Sequence, residues 1–437
     1  MAKLNEKPAS IFTYEGAKAK HITKEQSLRR AVMCSLLWEN QFYEDGKDIS
    51  ERIAELIPLV SPQKVASIAI EARNNMKLRH MPLFIVREMA RHNSHKSLVA
   101  TTLEAVIQRA DELSEFLAIY WKDGKQPLSA QVKKGLALAF LKFNEYQLAK
   151  YNRNTKIKLR DVLFLCHAKP INDEQSNLWK KLITNNLSTP DTWESELSAG
   201  KDKKQTWERL ISEHKLGGLA FLRNLRNMQE VSVSEETIKQ GLLNIKTDKI
   251  LPFRFIVAAK HAPKFEAEIE KVMFRCLDGK YKLLGKTVLA VDGSGSMFGE
   301  SISNKSEIDR FEAACALAIL LKEICEQCVI IVFSDFSILV PSRRGFALRD
   351  VLHGKASRGG TRLSPAIRLA EQEKYDRIIV LTDEQISDCC PAPLPYTKAY
   401  MINVASTRNG IGYRNWNHID GWSESIVDYI IESEKIK

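Results

Sequence analysis

Five oxygen-bearing side chains carry the clearest chemistry in the sequence. Asp292, Ser294 and Ser296 alternate with glycine in Asp292-Gly293-Ser294-Gly295-Ser296. Thr361 ends the Gly-rich run Arg358-Gly359-Gly360-Thr361, and Asp383 ends Val380-Leu381-Thr382-Asp383. The set offers carboxylate and hydroxyl oxygens only, which suits a hard divalent cation, Mg²⁺ first and Mn²⁺ second. Two serines two residues apart on a glycine turn can both face an ion beside Asp292. Few carboxylates would bind directly, so one coordination position stays open for an incoming acidic group. No His or Cys nucleophile accompanies the five, and His353, the nearest histidine, reads as a surface residue. The chemistry expected is binding, without catalysis.

The elements needed to assemble this set are legible from about Leu283 onward. Apolar runs at 287–291, 329–333, 377–381 and 399–404 read as strands, and helices are expected at 306–324, 364–373 and 423–432. Continuous apolar strands alternating with helices predict a parallel sheet covered on both faces, a doubly wound α/β domain. In such a sheet ligands gather at the carboxyl ends of the strands, where Asp292 and Asp383 fall. In order and position, the five residues resemble the D-x-S-x-S, Thr, Asp motif of the von Willebrand A family and its metal-ion-dependent adhesion site. That resemblance covers 284–437 and implies a Rossmann-like domain that binds a divalent ion and a partner but hydrolyses nothing.

The preceding residues have a different texture. From about Leu28 to Arg275, apolar residues recur at three- and four-residue steps, as in Val99, Leu103, Val106, Ala110, Leu113 and Leu117. Prolines and glycines divide the stretch into helices of roughly two to five turns. An all-α domain is predicted over 1–283, its stacked helical pairs suggesting an α-solenoid. No run approaches the ~20 apolar residues of a membrane span. The first ten residues lack a signal-peptide core, so the cytoplasm is the expected location.

Charge divides with the texture. Of 65 Lys+Arg and 54 Asp+Glu, residues 284–437 hold 18 and 20, leaving 47 against 34, a net of +13, in the helical part. A basic domain joined to a near-neutral one suggests a polyanionic partner or simply a soluble basic surface. Three segments refine the choice. Lys150-Tyr151-Asn152-Arg153-Asn154 puts basic side chains beside an aromatic face, and Arg160 to Pro170 contains His167. These can pair phosphate and stack bases, or form a solvated loop with a helix-capping histidine. In Lys215 to Met228, Leu219, Leu222 and Leu225 are expected to face the core while Arg223, Arg226 and Asn227 face outward, toward phosphate or a neighbouring helix. Arg73, Arg79, Arg87 and Arg91 count as further basic positions. The eight cysteines are few and mostly set among apolar residues, and Cys325-x-x-Cys328 lacks a second pair for zinc, so core thiols are expected.

The run Leu28-Arg29-Arg30-Ala31, Phe42-Tyr43-Glu44-Asp45-Gly46, the Arg160–Pro170 stretch, Lys215 to Met228 and Leu251-Pro252-Phe253-Arg254-Phe255 resemble the TROVE module. Followed by an A-like domain, it matches the architecture of the Ro family and its bacterial-type members. The resemblance implies a HEAT-like helical-repeat ring closed by the A-like domain. It implies binding of small noncoding Y-like RNA and of single-stranded 3′ ends of misfolded RNA, with an exoribonuclease tethered through RNA. It places Lys150, Tyr151 and His167 at RNA-facing positions, with Arg153 one residue off the family's arginine, and suggests a monomeric protein. The competing class is a protein-interaction adaptor that uses the metal site alone. A metal-dependent nuclease is disfavoured, because no second metal cluster is visible.

Overall fold

The structure is a computed structural model. It describes residues 11–12, 18–19, 23–34, 46–247, 250, 253–275, 282–299, 308–405 and 415–420, with 426–427, 430–431 and 434 near the end. The expected helix at 423–432 and the segments Phe42 to Asp45 and Leu251-Pro252 fall largely or wholly outside these residues. Two compact units are present, one of Met1–Ser50 with Thr247–Lys437 and one of Glu51–Lys246.

The first unit opens with a small antiparallel hairpin, β1 (Ile11–Phe12) and β2 (Lys18–Ala19), followed by α1 (Lys24–Cys34) and α2 (Gly46–Leu56), whose C-terminal half enters the other unit. The second unit is all helix: α3 (Pro62–Asn74), α4 (His80–Arg91), α5 (Lys96–Val106), α6 (Asp111–Tyr120), α7 (Ala130–Phe140), α8 (Glu145–Tyr151) and α9 (Leu159–Cys166). It continues through α10 (Asp173–Ile183), α11 (Trp193–Ser198), α12 (Lys203–Ser212), α13 (Gly218–Glu230) and α14 (Glu235–Asn244). Alternate helices pack together, α3 on α5, α5 on α7 and α7 on α9, while α4 packs on α6. That is how helical pairs stack in a solenoid, each pair covering the apolar stripe of the next.

Close approach between α5 and α7 depends on Gly135, where a Cβ would lie 2.9 Å from the Ala100 carbonyl oxygen. The basic positions expected along α3 and α4 are used inside this unit. Arg73 is buried, donating from Nη2 to Glu112 Oε1 at 2.6 Å and from Nε to the Val106 carbonyl at 3.0 Å. Arg79 pairs with Asp111 and Glu115, and Arg87 and Arg91 with Glu88 and Asp123. These four basic positions are therefore engaged with acids of the same unit. A guanidinium with five donors can join helices whose remaining contacts are apolar.

The first unit resumes with α15 (Phe253–His261) and α16 (Glu266–Arg275), then the α/β part: β3 (Leu283–Asp292), α17 (Arg310–Ile324), β4 (Cys325–Phe333), β5 (Ser337–Val340), α18 (Gly345–Lys355), α19 (Leu363–Gln372), β6 (Arg377–Thr382), β7 (Lys398–Asn403) and β8 (Asn417–Asp420). The strand order is β5-β4-β3-β6-β7-β8, parallel except for β5 against β4. Val288 and Ala290 point into one core layer with Leu363, Ala366 and Ile367 of α19. The alternate residues Leu289 and Val291 are equally buried, and α17 packs on β3, β4 and β6. Both faces are covered, as the continuous apolar strands require.

The four expected strands are all present, and β5, β8 and α18 are additions. The edge strands are four residues each and half-exposed in part, so they lack the unbroken apolar signal of the central ones.

Replacing Arg73 with Met leaves Glu112 buried with the Gln108 and Arg109 backbone N–H groups and a longer 4.0 Å contact to Arg79. Loss of one partner of a buried ion pair costs about 3–5 kcal/mol. Urea unfolding should show a drop of that size, and a drop below about 1 kcal/mol would mean that the pair does not hold these helices together.

Candidate functional site

The sheet order reverses at β3. The chain passes from β3 to β4 on one side and returns to β6 on the other, so the carboxyl ends of β3 and β6 form the switch point. Asp292 is the last residue of β3 and Asp383 directly follows β6. Register pairs Val291 with Leu381, and Thr382 Oγ1 donates to Asp292 Oδ2 at 2.6 Å. The other Asp292 oxygen accepts the Ser294 N–H at 2.9 Å.

Three loops meet here and are sewn together through their backbones. Gly293 N–H donates to the Phe333 carbonyl at 2.7 Å, Arg358 N–H to the Gly293 carbonyl at 3.0 Å, and Gly295 N–H to the Gly359 carbonyl at 2.8 Å. The Ser387 N–H and hydroxyl both donate to the Thr361 carbonyl, at 2.8 and 2.9 Å, tying the Thr361 loop to the Asp383 loop. Glycine is needed at two of these positions. A Cβ on Gly293 would come within 2.9 Å of Ala356, and one on Gly359 would land on the Asp335 carboxylate. Asp335 in turn accepts the Gly360 N–H at 3.0 Å.

Asp292 ends β3, and the other four predicted donors lie on the loops drawn together beyond it at one edge. Asp292 and Asp383 are fully buried, Ser294 and Thr361 nearly so, and the Ser294 and Ser296 hydroxyls are 3.3 Å apart. Burial, and then the charge of Asp383, push the Asp292 carboxyl up to about 7. Two buried carboxylates with hydroxyls around them form a hard-oxygen donor set into which a divalent ion fits chemically. Further residues, unforeseen from the sequence, complete the surroundings. Arg310 reaches Asp383 Oδ2 with Nη1 at 3.5 Å. Beyond Asp383, buried Glu384 pairs with Arg30 of α1 at 3.5 Å and with His418 Nδ1 at 2.7 Å. Thr382 was legible as the neighbour of Asp383, but Arg310 is remote in sequence and carried no signal, and Arg30 stood out only as part of the Leu28–Ala31 run.

His353 is half-buried, not a surface residue. Its ring meets Phe311 edge-on at 4.9 Å, and burial holds the imidazole below its ordinary pKa. Phe311 stacks on Phe298 at 4.3 Å, and the Arg358 guanidinium lies 4.4 Å from the centre of the Phe298 ring, linking the serine loop to the glycine loop. Cys325 is buried and Cys328 half-buried, both as free thiols.

The candidate nucleic-acid positions are spread over the helical unit. Lys150 and Tyr151 end α8, and the Arg109 guanidinium, unnoticed in the sequence, sits 4.7 Å over the Tyr151 ring. One face of that ring is already taken. Arg153 is exposed in the following loop. His167 is exposed in the left-handed C-cap of α9, at the far end of about 12 Å of helix from that loop. Arg223 and Arg226 are exposed on α13, and Arg226 donates from Nε to Glu230 at 2.9 Å. Leu222 and Leu225 are buried as expected, but Leu219, in the first turn of α13, is 37% exposed. Lys215 pairs with Asp191 and Glu213.

Fold and site define a protein of two parts: stacked helical pairs, and a doubly wound α/β layer with an acidic cradle at its switch point. The TROVE domain family model matches residues 183–290. Telomerase protein component 1 of Mus musculus is 38% identical over 89 residues, and that of Rattus norvegicus 36% over 89 residues. Each match takes in 19% of this chain and only 3% of the relative's length. The crystal structure of the Deinococcus radiodurans Ro (Rsr) protein aligns over 92% of this chain and 97% of that one, with a TM-score of 0.58 and 16% identity. Residues 183–290 are thus similar to the TROVE domain, and the chain shares the fold of that Ro structure. Among the described residues, no helix is long and apolar enough to cross a membrane.

Replacing Asp292 with Asn keeps an acceptor for the Ser294 N–H and removes one of two repelling buried charges. In the wild type that charge is costly above about pH 7 and is neutralised by protonation as the pH falls. In chelator at pH 8 the variant should therefore melt at a higher temperature than the wild type, with the gap closing toward pH 5. A variant that melts lower at pH 8 would show that the carboxylate pair is not under repulsion.

Proposed function

We propose that the chain is an RNA-binding protein of Ro type. It would bind small noncoding Y-like RNA and the single-stranded 3′ ends of misfolded RNA, in RNA quality control and without catalysis of its own. The TROVE match over residues 183–290 carries the reading, because it covers α13 with its exposed Arg223 and Arg226. The exposed Arg153 and His167, and the Lys150–Tyr151 pair, supply cations and an aromatic ring of the kind that RNA backbones and bases use. An exoribonuclease held through the same RNA, a cytoplasmic setting and action as a monomer belong to this reading.

A second part of the reading concerns the sheet edge. Asp292, Ser294, Ser296, Thr361 and Asp383 would hold one Mg²⁺ or Mn²⁺. When bound, the ion would supply an open coordination position for an acidic group of a partner. The buried, mutually repelling carboxylates support this. The same observation favours the alternative in which the chain is a metal-dependent protein adaptor.

Purified protein should retain a hairpin RNA with a single-stranded 3′ tail at moderate salt and release it as salt rises. Blunt duplex of equal length should bind at least about tenfold more weakly, and Arg223→Ala with Arg226→Ala should weaken tail binding several-fold. Equal affinity for tailed and blunt RNA would remove the end-binding reading. No affinity for either would leave the adaptor.

A further inference from the structure

The metal reading assigns no role to Arg310, yet this residue is built into the cradle. It is the first residue of α17, whose start is fixed by Asp309, the N-cap, accepting the Glu312 N–H at 2.8 Å. The Arg310 side chain is 8% exposed. Its Nη1 lies 3.5 Å from Asp383 Oδ2 and 3.4 Å from the Ser296 carbonyl oxygen. One guanidinium thus addresses two of the five donor residues, Asp383 through its carboxylate and Ser296 through its backbone.

A guanidinium cannot ligate a metal ion, and its charge opposes one. It answers the same need as the ion, a positive charge beside Asp383. Committed guanidinium–carboxylate pairs close to about 2.7–2.9 Å. At 3.5 Å the contact with Asp383 is loose, so the carboxylate can turn toward an incoming cation without breaking a tight bidentate pair. The helix start is held by its own cap, so any yielding falls to the arginine side chain.

We propose that Arg310 is the affinity-setting residue of this cation site. Its guanidinium compensates Asp383 in the ion-free chain, and a divalent ion must share or displace that compensation. The proposal rests on the divalent-ion reading of the sheet edge. With Arg310 in place, a divalent ion enters against a resident positive charge, so binding is weaker than the donor set alone would give. Without it, the ion-free chain is less stable and the loaded chain is favoured more strongly.

The test compares the full chain with Arg310→Gln, which keeps hydrogen-bonding capacity without charge, and Arg310→Lys, which keeps the charge. Calorimetric titration with Mn²⁺ and Mg²⁺ is paired with melting in chelator and in excess Mg²⁺. Arg310→Gln should bind Mn²⁺ at least about tenfold more tightly than the wild type. It should melt lower in chelator and gain a larger rise on adding Mg²⁺. Arg310→Lys should stay within about threefold of the wild-type affinity. Unchanged or weaker binding by a folded Arg310→Gln chain, beside normal wild-type binding, overturns the role of Arg310 and leaves the metal site standing. Absence of binding in all three chains overturns both. If Arg310→Gln is unfolded in chelator, recovery of its melting transition on Mn²⁺ addition supports the proposal, and failure to recover counts against it.

Discussion

Two carboxylates buried at one sheet edge are the constraint around which the α/β unit is arranged. Neither Asp292 nor Asp383 is exposed, and each ionised group removed from water costs several kcal/mol unless dipoles or opposite charge compensate it. The chain supplies dipoles first. The Ser294 N–H and the Thr382 hydroxyl serve Asp292, and the Gln385 N–H serves Asp383 at 3.3 Å. Delivering them requires three loops at bonding distance from one another, which explains glycine at 293 and 359, where a side chain would collide with a neighbouring loop. The strands lie buried on both faces beneath these loops and give the carboxylates fixed positions. The donor geometry is thus a consequence of the sheet, and the repulsion that remains is what a cation would relieve.

The helical unit handles charge in the opposite way. Its arginines and lysines exceed its acids, but the deepest of them are closed into pairs, Arg73 with Glu112 and Arg87 with Glu88, and the part-exposed Arg209 is paired with Asp191. The Asp191 carboxyl is held well below the usual carboxylate range by its hydrogen bonds to Arg209 and Lys215. The Arg73–Glu112 pair joins α3 to α6. Such ion pairs leave less free positive surface than the net charge suggests, and they confine a phosphate partner to the exposed cations that remain, such as Arg153 and Arg223. Net charge predicts an attraction. It does not say which face exerts it.

This difference explains what could be read from the sequence. The central strands were legible because each is a continuous apolar run, and Asp292 and Asp383 could be placed at one sheet edge because each follows such a run. The short edge strands β5 and β8 were not legible, since burial on one side leaves only weak alternation. The pairings of Arg73 and Arg79 depend on acids more than thirty residues away. Leu219 looked like a core residue by spacing, but it lies in the first turn of α13, where the helix has not yet met its neighbours. Arg109 over Tyr151 and Arg310 beside Asp383 are tertiary juxtapositions, which no local pattern encodes.

The two candidate sites differ in sign, and that bears on how they could serve one protein. With Asp292 and Asp383 ionised and Arg310 beside them, the sheet edge carries about one net negative charge and would repel an RNA phosphate or a protein carboxylate. A bound divalent ion reverses this to about one net positive charge, because Arg310 already offsets one of the acids. Only the loaded site would then attract an anionic group, so occupancy by the ion acts as a gate on the partner. The exposed cations of the helical unit need no such gate, since their charge is permanent at neutral pH. Binding through that unit should be sensitive to salt and indifferent to chelator. Binding through the sheet edge should respond to both, which would let the two proposed activities be separated by solution conditions alone.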